Sequence, residues 1–184
     1  AVVIPSGDAG HYTFQPYRAA VDGLAREGYV VLFVDDPRVG RRHAPNAGLY
    51  AIATAAGTPI IGIQVFDALR GLDYLRTRPD IDPGQISIAG LGIGAVQAYL
   101  AAAVEPGFQR VVAVGGSTTY AALIMANAAG ARQDDPSAFV PNILRFTDMD
   151  RIAACVAPRP VFLAGDARGG SGAVRGHLQM LRTM

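Results

Sequence analysis

The chain has 184 residues, is 51% hydrophobic and 17% charged, and so has the length and apolar content of one globular domain with a sizeable core. Its 16 basic and 15 acidic residues leave a formal net charge of +1. They are mixed along the chain, and this balance gives no electrostatic footprint for nucleic acid or an anionic membrane as partner. No uninterrupted apolar run approaches the ~18 residues of a membrane span, and Cys155, the single cysteine, excludes an internal disulfide and a cysteine-rich metal site. The Ala-Ala-Cys-Val-Ala setting of Cys155 reads as core packing.

In chain order, short β-rich runs alternate with longer helical patterns, which predicts a three-layer α/β/α domain with a mostly parallel sheet over residues 1–184. The predicted strands are Val2 to Pro5, Tyr29 to Val34, Gln85 to Ala89, Arg110 to Gly115 and Pro160 to Ala164. Most are continuous apolar runs, as strands buried on both faces require. Tyr17, Val21 and Leu24 form the stripe of a first helix that ends at Gly28, a residue free to take the left-handed cap. A second helix runs from about Gly62 to Thr77, with Val65, Leu69, Leu72 and Leu75 toward the sheet and Asp67, Arg70, Asp73 and Arg76 toward water. The third, Ile93 to Val104, is apolar nearly all round and is expected to be the buried central helix. A fourth helical stretch follows Gly116, and the remainder up to Pro160 reads as loop or short cap segment. The chain opens on a strand-like run and stops at Met184 within a helical pattern, so the fold is expected to be truncated at both ends, and the domain could belong to a longer protein. A sheet of only about five strands would need its edges covered, for which self-association or a partner chain is one remedy.

The informative stretch is Gln85-Ile86-Ser87-Ile88-Ala89-Gly90-Leu91-Gly92-Ile93-Gly94-Ala95, which runs strand, tight glycine turn, buried helix. With Gly90, Gly92 and Gly94 alternating, it resembles the G-x-S-x-G nucleophile elbow of α/β-hydrolases, with glycine in place of the serine. Residues 29 to 40 resemble the hydrolase strand that ends in D-x-R-G-x-G. Gly57 to Leu75 with Arg78-Pro79-Asp80-Ile81-Asp82-Pro83, and Val140 to Asp148 leading into Ala157-Pro158-Arg159-Pro160, are similar to bacterial acetyl xylan esterase and dienelactone hydrolase-like proteins. The match covers most of the chain, and the second block is its most specific part.

That resemblance implies an ester hydrolysis in which a serine attacks the carbonyl, a histidine shuttles the proton and an acid orients the histidine. Gly92 cannot form an acyl-enzyme. The acid is implied after the last predicted strand, where Asp166 is the nearest carboxylate and Arg168 competes for the equivalent position. The histidine of the family follows one further strand, for which the 18 residues after Asp166 leave no candidate. His177 is the only histidine there, and its spacing from Val174 and Leu181 favours a helix position over a base. The oxyanion hole is implied at Ser6 and Gly7 on one side and Leu91 and Ile93 on the other, although the usual H-G-G-type pattern is absent. His11 lies in the same first loop, and His43 reads as solvated. Ser117 sits at a strand end on the rim of Gly92, but a helix N-cap before Tyr120 explains it; Ser6 has similar standing, and Ser87 lies within a strand.

Three functional classes follow. The favoured one is a hydrolase-derived domain without serine catalysis that binds a small-molecule ester or acetylated carbohydrate, or serves a structural role. The second is a residually active carboxylic-ester hydrolase. The third is a dinucleotide-binding module, since Gly90-x-Gly92-x-x-Ala95 fits G-x-G-x-x-G/A. It lacks an acidic residue at the end of the next strand, and the turn does not open the domain. No metal and no cofactor is expected.

Overall fold

The computed structural model describes residues 1–7, 15–37, 48–116, 119–130 and 138–164. Five strands form one all-parallel sheet: β1 (Val2–Pro5), β2 (Val31–Val34), β3 (Ser87–Leu91), β4 (Arg110–Val114) and β5 (Val161–Ala164), in the order β2-β1-β3-β4-β5. The helices are α1 (Gln15–Arg26), α2 (Leu49–Ala55), α3 (Ile60–Thr77), α4 (Ile93–Val104), α5 (Tyr120–Ala128) and α6 (Met149–Ala154). The expected α/β architecture with a parallel sheet is the observed one.

Side chains of β1 alternate between the two faces. Val2 and Ile4 pack with Tyr17 and Leu24 of α1, whereas Val3 joins the larger core that α3 and α4 build with Ile88, Val111 and Ala113. The sheet is thereby sandwiched between α1 and the α3–α4 layer, so strands read as unbroken apolar runs. Gly28, with φ 86°, ends the turn after α1 as its position in the sequence anticipates.

Several boundaries and faces differ from expectation. Strand β3 begins at Ser87 and extends to Leu91, because Pro83–Gln85 forms a 3-10 turn capped by Asp82, whose Oδ1 accepts from Gly84 N at 2.8 Å. The buried stripe of α3 is Ile61, Gln64, Ala68, Gly71, Leu72 and Leu75, with Val65 and Leu69 only half-buried. The stripe centres on small residues: a Cβ on Gly71 would lie 3.1 Å from Leu32 Cδ2, so the helix sits close against β1 and β2 there. Two short helices, α2 and α6, lie where no helix was expected. Cys155 is exposed at the C-cap of α6 rather than packed in the core, because the buried face of that helix is carried by Met149 and Ile152.

Candidate functional site

Strand order reverses between β1 and β3: the chain leaves β1 for β2 on one side and returns to β3 on the other. Outside the carboxyl ends of these two strands a parallel sheet leaves a crevice, the usual ligand position in open α/β sheets. Ser6 and Gly7 follow β1 here, and Gly92 follows β3.

Gly92 has φ 58° and ψ −121°, a backbone conformation outside the helical and extended regions that L side chains favour. It is the single residue between β3 and α4. Hydrogen bonds stitch it on both sides, for its N–H donates to Val114 O at 2.8 Å and its carbonyl accepts from Ala95 N at 3.0 Å. The neighbouring glycines allow this closeness. A Cβ on Gly94 would stand 2.8 Å from Pro5 O, and one on Gly116 would meet the Ala95 Cβ at 2.8 Å. The sharp strand-to-helix turn is therefore built as an elbow with no side chain at its apex.

Tyr17 locks the elbow from the α1 side. Its hydroxyl donates to Leu91 O at 2.8 Å, and its ring, 2% exposed, meets Phe33 edge-on at a centroid distance of 5.5 Å. The two loop residues expected near an oxyanion have their N–H groups engaged: Ser6 N donates to Val34 O at 3.1 Å and Gly7 N to Gln97 Oε1 at 3.3 Å. Ile93 opens the first turn of α4, where a helix has no internal acceptor for its N–H groups. Tyr99, further along α4, is a neutral phenol: burial pushes its hydroxyl up to about 12.

Asp166, Arg168, His177, His11, His43 and Ser117 lie outside the described residues. The residue that caps α5 is Thr119, whose Oγ1 accepts from Ala122 N at 3.0 Å, not Ser117. Ser87 is buried within β3, as its place in the strand anticipates. Among the described residues no group of His, Cys, Asp or Glu is placed to hold a metal ion.

Four supporting side chains escaped the sequence reading. Among the described residues Gln97 is one of two buried glutamines; the other, Gln64, donates through Nε2 to the buried Asp36 just after β2. Each is a polar residue on an otherwise apolar helix face, which is the signal that could have singled it out. Arg159 of the Ala-Pro-Arg-Pro segment gathers the C-terminal carbonyls of α4. Asp148 joins two helices at the rim, accepting from Met149 N at 2.6 Å in its own helix and from Tyr120 N at 2.5 Å and Ala121 N at 3.2 Å at the start of α5.

Partial burial opposes the charge on Asp148, but these backbone donors prevail and hold the carboxyl below the usual aspartate range. The depressed folded-state value means that the unfolded chain binds the proton more readily. The stabilisation is therefore complete above the unfolded value near 4 and is lost as pH falls through the lower folded one. Urea midpoints measured from pH 7 down to 2.5 are expected to fall less steeply in Asp148→Asn than in the native chain, with the variant already less stable at pH 7.

Comparison with known proteins shows that solved structures named as esterases share this fold. No family model matches the chain. The protein named as the hydrolase YtaP of Bacillus subtilis is 26% identical over 140 residues, covering 76% of this chain and 46% of that protein, so the chain spans about half the length of that relative. A structure named as an acetyl xylan esterase from Bacteroides fragilis superposes with a TM-score of 0.71 at 16% identity, over 99% of this chain and 55% of the other. A glucuronoyl esterase from Solibacter usitatus superposes with a TM-score of 0.60 at 16% identity, over 91% of this chain and 50% of its own.

Proposed function

From the premise that this chain has the α/β-hydrolase fold and is related to hydrolases and esterases, we propose that it is a domain of that lineage in which serine catalysis has been lost, and that it binds a small-molecule ester or acetylated carbohydrate without cleaving it. One observation carries the reading: the elbow keeps a φ of 58° and a ψ of −121° at Gly92, yet that position has no side chain to acylate. A glycine-rich turn with no ligand to present could relax toward an ordinary connection. The hydrogen bonds from Gly92 to Val114 and from Tyr17 to Leu91 favour a scaffold maintained for binding. Loss of such a nucleophile costs on the order of 10⁶ in turnover.

The test pairs the native chain with Gly92→Ser against a short-chain activated acetyl ester and a fluorophosphonate serine probe. The native chain is expected to release no acetate above the uncatalysed rate while an acetylated xylo-oligosaccharide still binds in calorimetry. Labelling or turnover in Gly92→Ser alone would mark a disarmed esterase with its other machinery intact. Ester hydrolysis by the native chain well above background would overturn the proposal. Because a serine Cβ must adopt the unfavourable backbone conformation of Gly92, the variant is also expected to be less stable by about 1–3 kcal/mol, read as a lowered urea midpoint.

A further inference from the structure

Helix α4 is apolar along its buried length with one exception, Gln97, which is 1% exposed. The orientation of its amide is set by chemistry. Gly7 N–H is a donor and lies 3.3 Å from the atom it meets, which must be the carbonyl oxygen Oε1; the opposite assignment would set two donors against each other. The Nε2 group is left buried with no hydrogen-bond partner among the described residues. An amide with half its hydrogen-bonding capacity unmet is a costly occupant of a core position, and a donor in that state calls for an acceptor.

The place of this donor is informative. Side chains on a helix lean toward its N-terminus, so Gln97 reaches back over the first turn of α4. The contact with Gly7 fixes that direction, since Gly7 N lies 3.5 Å from the Cβ position of Gly94 in that turn. The amide is thus held in the seam between the end of β1 and the start of α4, where strand order reverses. Helix dipole and amide donor act in the same sense there, both favouring a negatively polarised oxygen.

We propose that Gln97 Nε2 is a ligand-binding donor that donates a hydrogen bond to an oxygen of a carboxylate or acyl group, making the seam an acyl-oxygen subsite read by a side chain in addition to backbone N–H groups. The inference rests on the binding reading above and deepens it, naming the acyl oxygen as the part of the ligand recognised.

The experiment follows the side-chain amide resonances of Gln97 by ¹⁵N–¹H NMR during titration of the native protein with sodium acetate at pH 7, with sodium chloride at matched ionic strength as control. A saturable shift of the Gln97 amide pair with acetate and none with chloride is expected. Gln97→Met should weaken acetate binding about tenfold or more, the size of one hydrogen bond to a charged group. Gln97→Glu keeps an acceptor for Gly7 N–H and loses the donor as its carboxyl ionises; its acetate affinity is expected to fall further between pH 6 and pH 8, where the native affinity stays flat. An unmoved Gln97 amide through the whole titration overturns the proposal. If an acetylated xylo-oligosaccharide binds without moving it, the subsite fails while the binding reading stands; acetate captured at Gln97 by a protein that binds no such sugar leaves the subsite standing and removes the carbohydrate reading.

Discussion

Gly90→Ala is expected to destabilise the protein by about 3 kcal/mol or more, a large share of the ~5–15 kcal/mol that holds a domain folded. A Cβ at this position would lie 1.9 Å from Gly94 O, 2.2 Å from Gly94 C and 2.5 Å from Ala95 N. All three atoms belong to the backbone of α4, so no rotamer change relieves the overlap. The last residues of β3 would have to separate from the first turn of α4, breaking the hydrogen bonds that tie Gly92 to β4 and to the first turn of α4. Gly62→Ala provides the control. That glycine lies exposed in the first turn of α3, its Cβ would meet nothing closer than Pro59 at 3.7 Å, and the substitution is expected to be neutral or stabilising by about 0.5–1 kcal/mol. Urea denaturation of both variants decides the matter. Equal midpoints for Gly90→Ala and the native chain would mean that the elbow is not packed as described.

Arg159→Ala is expected to cost about 3 kcal/mol. The guanidinium donates to Ala102 O at 2.6 Å, Glu105 O at 3.1 Å, Phe108 O at 2.9 Å and Val156 O at 3.1 Å. Three of these carbonyls end α4 or lie in the turn that leads to β4, where a helix has no N–H groups left to satisfy its last acceptors. A positive charge also complements the negative end of the helix dipole. Each charge-assisted bond contributes about 1.5–3 kcal/mol in isolation, but the four share one side chain, so the sum is far from additive. Arg159→Lys should recover less than half of the loss, because an ammonium group cannot span carbonyls on two segments as the planar fork does. The measurement is the urea midpoint at constant m value; an Arg159→Lys variant as stable as the native chain would refute the bridging role.

The candidate site divides along the same line between local pattern and distant contact. The elbow was legible because glycine spacing between an apolar strand and an apolar helix reports backbone sterics within five residues. Its supports were not. Tyr17 reads as one more member of an apolar stripe, and nothing local says that its hydroxyl meets Leu91, 74 residues away. Gln97 meets Gly7 across 90 residues and Arg159 meets Ala102 across 57. Such partners are chosen by the order of strands in the sheet, which sets which distant segments meet each end of α4.

By itself the sequence determined the α/β class, the parallel sheet, the bounds of α4 and the tight glycine turn between β3 and α4, since periodicity, apolar run length and glycine placement act through the nearest neighbours in the chain. The tertiary structure alone decided the rest. Helices α2 and α6, seven and six residues long, are too short to be stable from their own propensity and form because the surrounding domain packs them. Thr119 rather than Ser117 became the cap of α5, Cys155 fell on the solvent side of α6, and the buried stripe of α3 turned toward Ala68 and Gly71 so that the helix could approach β1 and β2. In each case the choice depends on which surface arrives opposite, and that is set by the whole sheet rather than by the segment.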